Sequence, residues 1–169
     1  MGYSQHELEV IQERWNLRFP SDLVDLLRER RPLLDGPGAF DWLLSDPVDI
    51  QGRFDWPFEG FCFDIEHNEV WWPEWGPKPE GLGEQFERLR EVFAGVPTLI
   101  PLSGHRYLPA DPFEPGNPVF SVYQTDIICY GANLQDWIKH EREGWSDDGL
   151  PIKEIRFWSE AIRKNNAPP

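Results

Sequence analysis

Four histidines, two cysteines and thirty carboxylates are the side chains of this 169-residue chain that could hold a metal, move a proton or attack a substrate. His6, His67, His105 and His140 are far apart in sequence, and Cys62 and Cys129 lack the paired spacing of a zinc or redox motif. Cys62, His67 and His105 contain only a lone C-x-x-x-x-H, too loose to define a metal site. Ser103 stands two residues before His105 with no third partner, so no nucleophilic triad takes shape. Asp111 with Glu114, or Asp64 with Glu66, has the makings of a glycosidase carboxylate pair, but thirty acids generate such pairs by chance. The stretches GPGAF and GLGEQF carry neither a phosphate-binding lysine nor a dinucleotide fingerprint. An HExxH zinc helix and a GxSxG elbow are both missing. The expectation is a non-enzymatic protein with no catalytic residue, metal or cofactor.

Two other features stand out. Aromatic residues concentrate in Trp56-Pro57-Phe58 and in Trp71-Trp72-Pro73-Glu74-Trp75. Indoles beside prolines either anchor an interface or stack on a sugar when exposed, or cover a sheet face when buried. Charge is also uneven. Between Asp41 and Glu87 twelve carboxylates face only Arg53 and Lys78, so this window carries -10 of the total charge of -14. Aromatic anchors in an acidic field suit a cationic protein partner, because the field speeds encounter and buried rings slow release. A solvated acidic face is the plainer alternative. The candidate partner-binding residues are Asp55, Glu59, Glu66, Glu69, Trp71, Trp72, Glu74 and Trp75.

The elements that must position these residues follow from length and pattern. The length suits one domain, and 40% hydrophobic and 14% aromatic content supplies a core. Such a negative chain is a poor match for nucleic acid or an anionic membrane surface. The opening MGYSQHELEV has no signal-peptide apolar stretch, and two cysteines suit reduced thiols, so a cytoplasmic location is expected. Ser4 and Glu7 have capping-box spacing, with Leu8, Ile11 and Trp15 on one helical face. Phe19-Pro20-Ser21 opens a second helix with Leu23, Leu26 and Leu27 as its stripe, ended by Asp35-Gly36-Pro37-Gly38. Three hairpins are then expected: FCFDI with EVWW, TLIPL with RYLPA, and VFSVY with IICYG. Pro101 and Pro109 place their segments at an edge or bulge. A middle helix presents Leu82, Phe86, Leu89 and Phe93. Asn133 caps a helix with Leu134, Trp137 and Ile138, and a last helix carries Phe157, Trp158, Ala161 and Ile162. The sum is an α+β domain over 1–164, its antiparallel sheet of about six strands flanked by helices, with a flexible tail at 165–169.

This order of elements resembles the SUKH superfamily, the Knr-type cell-wall-regulator homology domain. The opening ELEVIQERWNLRFPSDLVDLL is similar to its helix-break-helix start, through Phe19, Pro20, Leu23, Leu26 and Leu27. The stretch PVFSVYQTDIICYGANLQDWIKHE is similar to its closing hairpin and helix, through Tyr130, Gly131, Leu134 and Trp137. The chain departs from the family at Asp35-Gly36-Pro37-Gly38 and in its elaborate Trp-Pro segment from 56 to 79. The resemblance implies a bacterial immunity protein that binds and neutralises a cognate toxin and has no catalytic residues. From the acidic window comes the further expectation that the toxin is cationic, such as a nuclease. The alternative is a regulatory or ligand-binding module that grips a glycan or peptide with its Trp-Pro loops.

Overall fold

The computed structural model describes residues 1–166. Local sequence sets the first helices. In α1 (Gln5–Trp15) the Ser4 hydroxyl accepts from the Glu7 amide while the Glu7 carboxylate accepts from the Ser4 amide, the capping box its spacing predicts. Asn16 closes α1 in the left-handed region, and Pro20 precedes α2 (Ser21–Glu29). Leu8, Ile11, Leu23 and Leu27 are all buried. Arg31, past the end of α2, ties the pair to the next loop by bonding Glu7 at 2.7 Å and Asp41 at 2.6 Å.

The third segment corrects the sequence expectation. FCFDI and EVWW form no hairpin; residues Pro47–His67 are one long helix, α3. Asp46 accepts from the Val48 amide at its start, and Pro47 occupies the first turn, where a missing N–H costs nothing. Its inward stripe runs Ile50, Phe54, Pro57, Phe61 and Ile65 at helical spacing. Pro57 should break the helix by leaving the Arg53 carbonyl without its amide. The Tyr107 hydroxyl donates to that carbonyl instead, at 2.7 Å. Gly60 lets α3 lie against the sheet, since a Cβ there would sit 2.7 Å from Gln124 Cα.

Beyond α3 the chain runs through a 3-10 turn at Pro73–Trp75 into α4 (Leu82–Phe93). The sheet follows as β1 (Leu99–Ser103), β2 (Arg106–Pro109), β3 (Val119–Tyr123) and β4 (Asp126–Gly131), antiparallel and in sequential order. Four strands, not six, are therefore present among the described residues. The two later hairpins lie where their patterns put them. Pro101 sits on the edge strand, beside a register shift between Pro101 and Ser103, and Pro109 ends β2. Then come α5 (Leu134–Glu143) and α6 (Trp158–Asn165). Asn165, expected to begin a flexible tail, closes α6 and donates to the Thr125 carbonyl; residues 167–169 of that expected tail lie outside the described residues.

Side-chain alternation divides the strands between two cores. Ile100, Leu102, Leu108 and Val119 face a cluster with Leu8, Leu23 and Trp137 of α1, α2 and α5. Leu99, Tyr107, Phe120 and Val122 face Phe61, Leu89 and Trp158 of α3, α4 and α6. The sheet is thus covered on both sides, which is why β1 is buried at all five positions. The architecture is α+β, with a four-stranded antiparallel sheet between helical layers. No helix among the described residues is long and apolar enough to cross a membrane.

Candidate functional site

The acidic window becomes two different environments. Asp55, Glu59 and Glu66 fall at i, i+4 and i+11 of α3 and so share one outward ridge, spanning about 16 Å of helix axis. Asp55 is half-buried and accepts from Gln51 at 2.9 Å. Glu59 and Glu66 are exposed. Among the described residues neither Asp55 nor Glu59 has an ion-pair partner, and Glu66 meets only His67, at 3.7 Å. Arg90 of α4 lies over the Phe58 ring. Glu69 is exposed just past the helix, in the left-handed region at φ 57.

Other acids of the window are spoken for. Asp64 is buried at 4% exposure and binds the Thr125 amide and hydroxyl at 2.8 and 2.6 Å, joining α3 to the β3–β4 turn. Burial pushes the Asp41 carboxyl up, but the Arg31 guanidinium and the Leu43 and Leu44 amides outweigh it and hold it below its usual range. Glu74 pairs with Lys164 at 2.7 Å, which lowers its pKa.

The tryptophans expected as anchors turn inward. Trp75 is buried at 3% exposure, so it belongs to the core and is not an exposed anchor. Trp72 is half-buried, 4.8 Å from Trp75 and 5.4 Å from Phe157 between ring centroids, with Lys164 over its face. Trp71 meets Trp75 edge-on and donates its indole N–H to the Gly76 carbonyl at 2.8 Å. With Phe61, Phe93 and Trp158 these rings form one aromatic cluster. Trp71 and Trp72 do not lie on the expected strand EVWW; their segment is irregular and wraps Trp75.

Leu44 and Leu82 are exposed at the margins of this region, and the other exposed apolar side chains sit on α3 itself. Val48 is 76% exposed, Phe63 46% and Trp56 39%, interleaved with Asp55, Glu59 and Glu66. A helical reading of 47–67 would have found them, since Asp46-Pro47 is a helix-start signal. Trp56 is held in place by its indole N–H, which donates to the Val122 carbonyl at 2.9 Å, and by an edge contact with Tyr123. Beside it opens a groove of about 530 Å³ lined by Val48, Asp49, Arg53, Trp56, His105 and Tyr123. Arg53 has no carboxylate partner among the described residues; its guanidinium lies 4.4 Å over the Phe40 ring. Burial lowers the pKa of both Arg53 and His105.

Both thiols are free, and burial pushes each up to about 11, which makes them poor nucleophiles. One group of three potential metal ligands comes together among the described residues: Asp136, His140 and Asp148. The wide sequence spacing of the histidines predicts no metal set, because it is blind to a ligand supplied by the loop after α5. Cys62, His67 and His105 do not form one.

Compared with models of protein families, with curated proteins and with solved structures, the chain finds no match in any of the three.

Proposed function

We propose that this chain is a non-enzymatic, immunity-type binding protein that neutralises a cationic toxin, with the outward ridge of α3 as its docking surface. The observation that carries this reading is the ridge itself. Asp55, Glu59 and Glu66 lie on one helix face without Lys or Arg partners among the described residues, and Phe63 and Trp56 are exposed beside them. Unpaired carboxylates of one sign raise the encounter rate with a cation, and apolar side chains among them slow release. Trp56 and Phe63 take the anchoring role in place of the inward-turned Trp71, Trp72 and Trp75. The resemblance to the SUKH superfamily supports the same reading, through the helix-break-helix start and the strand-to-helix junction at Gly131. A nuclease, whose substrate cleft must be cationic, is the toxin class that such a ridge would plug.

The test begins with the product of the adjacent upstream gene, which this reading expects to be a secreted protein whose variable C-terminal domain is the partner. Purified together, the two should form a stable 1:1 complex that abolishes the toxin's activity. Trp56→Ala and Phe63→Ala should each speed dissociation roughly tenfold or more. Failure of the domains to associate would remove the immunity reading.

The groove beside Trp56 favours a second reading, a module that grips a glycan or peptide. A fixed indole and a half-exposed Tyr123 form a platform on which a sugar ring can stack. Titration with cell-wall fragments should then change tryptophan fluorescence saturably, and Trp56→Phe should abolish the change.

A further inference from the structure

Asp136, His140 and Asp148 converge where α5 meets the irregular segment after it, away from the α3 ridge in sequence. Asp136 and His140 are one turn apart on the same face of α5, and Asp148 comes from the loop that follows. His140 is buried, at 3% exposure. Its Nδ1 lies 2.7 Å from the Tyr130 carbonyl, an atom that can only accept, so Nδ1 donates there and Nε2 is the ring nitrogen turned toward the carboxylates. That Nε2 points at Asp136 Oδ1 at 3.5 Å and at the Ser146 hydroxyl at 3.4 Å, both long for a hydrogen bond. The 3.5 Å separation is close to the edge of a tetrahedron with bonds of about 2.0–2.1 Å, which is about 3.3–3.4 Å.

The surroundings fit a cation. The second oxygen of Asp136 is fixed by the Ala132 amide at 2.8 Å. Asp148 Oδ2 is paired with the Lys139 ammonium and Oδ1 accepts from the Ser146 hydroxyl at 3.0 Å, so an ion would take Oδ1 in place of that hydroxyl proton. A carbonyl behind the histidine and anchors behind each carboxylate are the supports that ligands of a metal ion need. The adjoining cavity holds about 50 Å³, bordered by Trp145, which leaves room for an ion and a water.

We propose that Asp136, His140 and Asp148 form a binding site for a divalent transition-metal ion of the zinc class, with Nε2 and one oxygen of each carboxylate as ligands. One imidazole with two carboxylates suits zinc better than calcium or magnesium, which favour all-oxygen shells. The ion would clamp the irregular segment after α5 onto that helix. This site shares no residue with the α3 ridge and stands or falls apart from the toxin-binding reading.

The test is a calorimetric titration of Zn²⁺ into the full chain after chelator treatment and removal of the chelator. Three ligands fall short of a four-ligand finger, so one ion per chain is expected with a Kd of about 1–10 µM. Asp148→Asn alters an exposed loop residue and should fold as the parent by circular dichroism, yet weaken Zn²⁺ binding at least tenfold. Co²⁺ in place of Zn²⁺ should quench Trp145 fluorescence, and Trp145→Phe should remove that quenching. No saturable binding below about 100 µM, or equal affinity in Asp148→Asn, would overturn the proposal. So would displacement of the ion by millimolar Ca²⁺ or Mg²⁺.

Discussion

Pro57 deprives α3 of one backbone hydrogen bond, and Tyr107 supplies the replacement from the neighbouring strand. Tyr107→Phe should therefore strand a buried carbonyl and cost about 1–3 kcal/mol in urea unfolding. In a Pro57→Ala background, where the restored amide can donate to the Arg53 carbonyl, the same change should cost much less. Equal costs in both backgrounds would mean that the hydroxyl does not substitute for the missing amide. Asp41 gives a pH prediction. Its folded pKa lies below its ordinary 3.8, so the stability it contributes is fully present above that value and is lost as pH falls through the folded pKa. Asp41→Asn should be less stable at pH 7 and show a shallower loss between about pH 4 and 2. Trp75 reads as an anchor from sequence because tryptophan type and local charge are all its position offers. Its burial depends on Phe61, on Trp72 and on a segment, 70–75, that Phe157 and Lys164, remote in sequence, hold in place. Trp75→Ala should accordingly cost about 3–5 kcal/mol of stability.

At the scale of elements, what was legible in the sequence was local. A capping box and two hairpins with short polar turns formed where their spacing placed them; the helices with a single apolar stripe did so with shorter bounds, since α2 stops at Glu29 before reaching Asp35-Gly36-Pro37-Gly38, Phe157 caps α6 from outside it and Leu82 is exposed. The long helix α3 was the exception, and the reason is specific. Phe61, Phe63 and Ile65 alternate like a strand, yet Phe61 and Ile65 are also one helical turn apart. The structure buries those two and exposes Phe63, which a strand could not do. Gly52, Pro57 and Gly60 all speak against a helix locally; Tyr107 and the close approach of Gln124, both distant in sequence, overrule them. The site suffered with the element: once 47–67 is helical, Asp55, Glu59 and Glu66 share a face, and Trp56 and Phe63 replace Trp71, Trp72 and Trp75. Gly60→Ala should therefore destabilise the protein severely, by roughly 2–4 kcal/mol, since the added methyl meets backbone. Gly83→Ala, in the first turn of α4 with open space around it, should leave stability unchanged or raise it by about 0.5–1 kcal/mol.

Across the whole molecule, helices cover most of both sheet faces, so what remains for recognition is the outer surface of those helices, the loops at their ends and the exposed end of β3 and β4 at Tyr123 and Ile128. The negative charge of the sequence window is redistributed on folding. Asp41 and Glu74 are neutralised by Arg31 and Lys164, and Asp64 is buried, while the α3 ridge keeps its carboxylates free of basic partners other than His67 among the described residues. Electrostatic steering by that ridge is the central claim. It is tested most directly by the rate of association with the cationic toxin domain that the proposed function expects, measured by stopped flow from about 50 to 300 mM salt for the parent and for Asp55→Lys/Glu59→Lys/Glu66→Lys. The ridge predicts a parent rate that falls steeply with salt, and a variant on the order of tenfold slower at low salt with a flattened dependence. A variant that associates as fast as the parent, with the same salt slope, would contradict it.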